Sequence, residues 1–168
     1  MPRTDINSLS DASRIWLFGI SPALDETKRA RMLQQIDLFL GDWAAHNVPV
    51  TSAREILHDS FLLIAVDQES ETSGCSIDRM FGLLRQLERD LGVAILDPNR
   101  IFVRHGDGRA GAITREEFRA SADQHTVVFD TLAERLGDVR GGRWERPAAE
   151  SWHAKLLDGR NAAVPAAG

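Results

Sequence analysis

Cysteine and lysine are nearly missing from this 168-residue chain: Cys75 is the single cysteine, and Lys28 and Lys155 are the only lysines. One cysteine cannot form an intramolecular disulfide, so a reducing compartment, the cytoplasm, is the expected location. No stretch approaches the roughly 18 apolar residues of a membrane span. The start, Met1-Pro2-Arg3-Thr4-Asp5, lacks the apolar segment of an export signal. A basic excess is also absent, with 20 Lys and Arg against 25 Asp and Glu and a formal charge of −5, which argues against a generic nucleic-acid or anionic-membrane binder. Neither H-x-x-x-H nor C-x-x-C spacing occurs, so no structural zinc site is expected. No internal repeat is found.

What is present is ordinary globular composition, 43% hydrophobic and 27% charged, in a length that suits one domain. We expect a polar lead-in over residues 1–13, a single α+β domain over 14–157 and a flexible tail over 158–168. Residues 14–20 read as a strand ended by Ser21-Pro22. Asp25 reads as the N-cap of a helix reaching about residue 45, with Leu33, Ile36, Leu40, Trp43 and Ala44 on its apolar face. Residues 50–58 form a weaker strand, Asp59-Ser60 a hairpin turn, and 61–66 an unbroken apolar run that suits a central strand. A second helix over 76–91 carries Ile77, Met80, Phe81, Leu84, Leu87 and Leu91 on one stripe, with Gly92 beyond its end. A hairpin over 101–104 and 110–113, a capping box at Thr114 to Glu117 and a short strand over 126–129 follow. Trp144 and Trp152 are expected to anchor the C-terminal segment. This order predicts an antiparallel sheet with the two main helices on one face, a ferredoxin-like βαββαβ core with a C-terminal extension.

The segment Ser73-Gly74-Cys75-Ser76-Ile77-Asp78 joins a buried strand to a helix start and is the candidate site, within a loop over 67–78. Backbone N–H groups at a helix N-terminus favour both a thiolate and a bound anion. Ser73, Gly74, Ser76 and Asp78 are therefore candidate ligand-binding residues, and Cys75 a candidate nucleophile. Equally, Ser73 or Ser76 is an N-cap and Cys75 a small buried hydrophobe. A nucleophile needs a base, and His46 and His58 are the histidines whose elements approach the loop. Asp67, at the end of the apolar run, is a candidate acid or base, and with Asp78 a possible magnesium pair. His153, in Ser151-Trp152-His153, reads as part of a docking segment.

Trp16, Trp43, the run from Phe61 to Asp67, the central hexapeptide and Ser151-Trp152-His153 together resemble an uncharacterised family of small bacterial proteins. That family is common in Bacteroidetes and often labelled "ABC transporter ATPase". The resemblance covers about residues 14–157 and implies no established activity or catalytic residue. The label conflicts with the residues, because phosphate cradling requires G-x-x-x-x-G-K-[ST]. Gly106 and Gly111 have the glycine spacing, but Ala112 and Ile113 stand where Lys and Ser or Thr are needed. ATP and GTP are expected to bind no better than any anion. The expected function is a small ligand-binding, anion-binding or regulatory domain, open to self-association as a homo-oligomer, whose partner is a small anion or a protein. A Cys75-dependent enzyme is the alternative, and no cofactor follows from the residues.

Overall fold

The computed structural model describes residues 3–157. The expectation of a flexible tail over 158–168 lies outside the described residues. The chain is mixed α+β with antiparallel sheets. Its strands and helices are β1 (Arg14–Gly19), α1 (Glu26–Asp42), β2 (Ala44–Ala45), β3 (Val48–Pro49), β4 (Ser52–Leu57), β5 (Phe61–Val66), α2 (Gly74–Leu91), β6 (Arg100–Arg104), β7 (Ala110–Thr114), α3 (Arg115–Ser121), β8 (Val127–Phe129), α4 (Leu136–Arg140) and β9 (Glu145–Pro147).

Strand β5 is the centre of a three-stranded sheet in the order β1-β5-β4, and every one of its residues is buried. The cause is coverage of both faces. Leu62, Ile64 and Val66 join Met32, Ile36 and Leu40 of α1 and Met80, Leu84, Leu87 and Leu91 of α2 in one apolar cluster. Phe61, Leu63 and Ala65 point the other way, into Phe102, Ala110 and Phe129 of a second sheet ordered β7-β6-β8-β9 and into Trp144 just before β9. That sheet buries Ile101, Val103 and Val128 in turn against Phe118 of α3 and Leu157. An unbroken apolar strand is thus a strand between two layers.

The structure alters the expected βαββαβ path at its last step. In such a unit the final strand lies beside the first. Here Arg100–Arg104 pairs with β7 and β8 instead, because both faces of Ile101-Phe102-Val103 are apolar and each must be covered. Phe102 lies directly on Gly19 of β1, where a side-chain Cβ would run into its ring. Among the described residues the place beside β1 is left without a full strand.

Local chemistry explains the element ends. Asp25 caps α1, accepting the Lys28 N–H at 2.8 Å. The helix stops at Asp42, short of residue 45, because Ala44–Ala45 and Val48–Pro49 pair across a tight turn with His46 and Asn47 at φ 53 and 65. The β4–β5 turn sits at His58 and Asp59, φ 51 and 54, one residue earlier than expected, closed by the Ser60 N–H on the Leu57 carbonyl. His, Asn and Asp are the non-glycine residues that most readily take this left-handed backbone. Gly92 ends α2 at φ 64, the left-handed cap in which glycine avoids a Cβ penalty. The polar lead-in packs down: Leu9 is buried, Arg3 bridges Ser52, and Arg140 donates to the carbonyls of Ile6 and Leu9.

Candidate functional site

The 67–78 segment builds much of itself from internal hydrogen bonds. Ser73 Oγ accepts the Ser76 N–H, and Ser76 Oγ accepts the Ser73 N–H and donates to the Ser73 carbonyl. Both hydroxyls are therefore engaged in a reciprocal capping box. Asp67 closes a local turn by accepting the Glu69 N–H at 2.8 Å, and Ser70 Oγ accepts the Thr51 N–H at 3.0 Å. Cys75 is exposed rather than a buried hydrophobe. Space above Gly74 is open, and the N–H groups of Gly74 and Cys75 precede the first intrahelical donor, Ile77. Asp78 is exposed on α2 and has no ion pair among the described residues. The depression beside the segment, about 440 Å³, is lined by Ser8, Ser10, Thr51, Asp67, Glu69 and Ser70 among others. It carries two carboxylates and no cation.

His58 does not join this group. β5 advances about 17 Å from Phe61 to Val66 at roughly 3.3 Å per residue. His58 precedes its start, whereas the 67–78 segment follows its end. α2 runs back over that distance, so that Ala94, just past its C-terminus, bridges Ser21 beyond β1. The His58 ring stacks on Trp144 at a centroid distance of 6.0 Å and contacts Phe61 and Phe129. His46 tips the β2–β3 hairpin, exposed, and makes no hydrogen bond or ring contact among the described residues. Among these residues no imidazole touches Cys75, and no group of three or more His, Cys, Asp or Glu could hold a metal ion.

A different feature gathers more binding capacity. β1 is an edge strand whose outer side is engaged at two places only among the described residues. At one end Ile15 N–H donates to the Glu134 carbonyl and the Leu136 N–H to the Ser13 carbonyl, which makes Arg14 and Arg135 antiparallel bridge partners. At the other, Ser21 and Ala94 exchange two hydrogen bonds. Because strand backbone alternates, the Ile15 carbonyl and the N–H and carbonyl groups of Leu17 and Gly19 also face outward, and none has a partner among the described residues. These groups front a groove of about 480 Å³ between residues 14–18 and residues 131–135.

The walls of this groove are chemically distinct. Leu132 at its rim is 66% exposed. Arg14 lies over the Trp16 indole, 4.3 Å from its centroid. In the Arg14–Arg135 bridge the hydrogen bonds flank the pair, so the two side chains stand adjacent on one face. Neither guanidinium has a carboxylate partner among the described residues, and Arg135 spends one N–H on the Ala12 carbonyl at 3.3 Å. Residues 131–135 belong to no strand or helix, so sequence periodicity offers no signal for them. The open edge follows from strand order alone. The one visible hint is the paired aromatic positions Trp16 and Phe18.

No protein-family model matches the chain, and searches among curated proteins and among solved structures return no significant match.

Proposed function

We propose that this protein is a small binding domain that takes an extended peptide segment of a partner protein along the open edge of β1. The observation that carries this is the row of unpartnered backbone donors and acceptors from Ile15 to Gly19, bounded by a bridge at each end. An added strand satisfies such groups, and grooves alongside supply side-chain selectivity. The βαββα portion of the chain, a ferredoxin-like unit whose last strand has gone to the second sheet, is what leaves this place free. We assign the domain to the cytoplasm, where a single exposed thiol persists reduced, and regard it as kin to the small bacterial proteins it resembles, without ATPase activity.

The test is amide hydrogen exchange of the purified chain, alone and with peptides selected from a synthetic array. In the free protein the Leu17 and Gly19 amides exchange much faster than those of Trp16 and Phe18, which pair with β5. Bound peptide slows Leu17 and Gly19. Peptides that bind and leave these two amides unprotected would defeat the reading.

A second reading rests on the exposed Cys75 with the two free N–H groups of Gly74 and Cys75: an anion-binding or thiol-reactive site at residues 67–78. Engaged serine hydroxyls, two nearby carboxylates and a thiol without a base make it the weaker of the two.

A further inference from the structure

Resting on the groove reading above, we infer that its occupant is the carboxyl-terminal end of a partner chain, docked antiparallel to β1 with its terminal carboxylate between Arg14 and Arg135. The open row is closed by a bridge at both ends, and the Arg14–Arg135 end is the one that carries two guanidinium groups. Where Arg14 and Arg135 bridge, the Ile15 N–H is already given to Glu134 and the Leu136 N–H to Ser13, so a strand added beside Leu17 cannot continue past Ile15. It must end there or turn away. The span from Arg14 to Phe18 is about 13 Å at roughly 3.3 Å per residue, room for about three or four residues of an extended chain.

Charge then chooses the direction. A strand parallel to β1 would bring its N-terminal ammonium to the Arg14–Arg135 end, beside two guanidinium groups. An antiparallel strand brings its carboxylate. Two like charges directly opposite each other across a ladder repel, and here no acidic side chain among the described residues pairs with either. A carboxylate relieves that repulsion and fits the planar fork of arginine donors. The exposed Glu134 carboxylate adjoins the pair without ion-pairing to it; its charge opposes any bound carboxylate, and the two guanidinium groups outweigh it. In the antiparallel arrangement the peptide residue facing Leu17 exchanges two hydrogen bonds with it, and the carboxylate follows about one or two residues later. Leu132, at the rim, favours an apolar peptide side chain on its side.

The experiment uses the full chain and one set of random-sequence octapeptides made in two forms, with a free C-terminal carboxylate and with a carboxamide. Binding is read by fluorescence polarisation and by exchange of the Leu17 and Gly19 amides. The expected result is a set of binders that lose at least tenfold in affinity on amidation. Arg14→Gln and Arg135→Gln should each weaken the acid form about fivefold or more and leave the amide form unchanged. Both residues are exposed, and unaltered thermal melts show that the variants fold. Equal binding of acid and amide forms with Leu17 protected would overturn the carboxylate assignment and leave the groove reading standing. No binder in either form, or binders that protect other amides, would overturn both. Concentration-dependent self-association that protects Leu17 would make a second copy the occupant, which also overturns the assignment.

Discussion

Gly19 of β1 and Phe102 of β6 are in such close apposition that a Cβ on Gly19 would fall among the atoms of the Phe102 ring. This contact fixes the separation of the two sheets where the edge strand β1 packs on the interior strand β6. Gly19→Ala should therefore destabilise the chain by overpacking, about 1–3 kcal/mol. Phe102→Leu alone should also destabilise, but the double variant should be more stable than the sum of the two changes, because the smaller side chain makes room for the methyl. Urea unfolding of the four chains measures this coupling, and additive effects would show that the contact does not limit packing.

His153 should make stability fall in mild acid. The residue is buried, 1% exposed, its Nδ1 2.7 Å from Ser151 Oγ, and its ring stacked on Trp152 at 3.9 Å. Burial pushes its pKa down from 6.5 to about 4; Asp130 opposes the shift, while Arg115 and Arg146 add to it. The folded state thus prefers the neutral ring, and the unfolded state takes up the proton first. The stabilisation is complete above pH 6.5 and is lost as pH falls towards 4, at up to about 1.4 kcal/mol per pH unit. His153→Gln should flatten that slope. An unchanged slope between pH 7 and 4.5 would mean that the ring accepts a proton in place.

The apolar run over residues 61–66 points to a central strand, since its short length and turn-forming flanks suit a strand covered on both sides better than a buried helix. Asp25, Thr114 and Gly92 likewise announce helix ends, because capping is a local hydrogen-bond requirement. What covers the second face of β5 is not local. Residues 100–104 look equally suited to either sheet, and their pairing is decided by Phe102 meeting Gly19, some 80 positions earlier in the chain. The β2–β3 hairpin is hidden by helix-like spacing through Trp43 and Ala44. Cys75 at the start of α2 is legible from the Ser-Gly cap. Arg14 and Arg135 become neighbours only through tertiary pairing, and nothing in their flanking residues marks them.

Asp37 and Arg54 tie α1 to β4 through two hydrogen bonds of 2.8 and 2.9 Å, with Arg3 3.6 Å away. The Arg54 hydrogen bonds hold the Asp37 carboxyl below its ordinary 3.8 against the opposing effect of burial. Asp37→Asn should cost about 1 kcal/mol at neutral pH, and a double-mutant cycle with Arg54→Gln should give a coupling of about 0.5–1.5 kcal/mol. Because the folded pKa is depressed, this contribution is complete above about pH 3.8 and is lost only as pH falls through the lower folded value. It should not change between pH 7 and 5, where the His153 effect begins. A zero coupling energy would reduce the pair to a surface contact without weight.

Cys75 should react with iodoacetamide in the native chain at a rate close to that of the unfolded chain, because it is exposed. Cys75→Ser should leave stability within about 0.5 kcal/mol, because its side chain is exposed and takes no part in the Ser73–Ser76 capping box. The informative part is the effect of phosphate. An anion held on the Gly74 and Cys75 N–H groups would screen the thiol and slow alkylation. Two features oppose such binding: the Ser73 and Ser76 hydroxyls are already committed to the capping box, and Asp67 and Glu69 line the adjoining depression. A helix N-terminus alone, worth roughly 0.3–1 kcal/mol towards a charge at an exposed site, is too weak to hold phosphate at millimolar concentration against those carboxylates. Alkylation should therefore proceed at the same rate with and without 10 mM phosphate, at constant ionic strength. Saturable protection by phosphate, absent in Ser73→Ala, would reverse the order of the two functional readings and place the binding site at the start of α2.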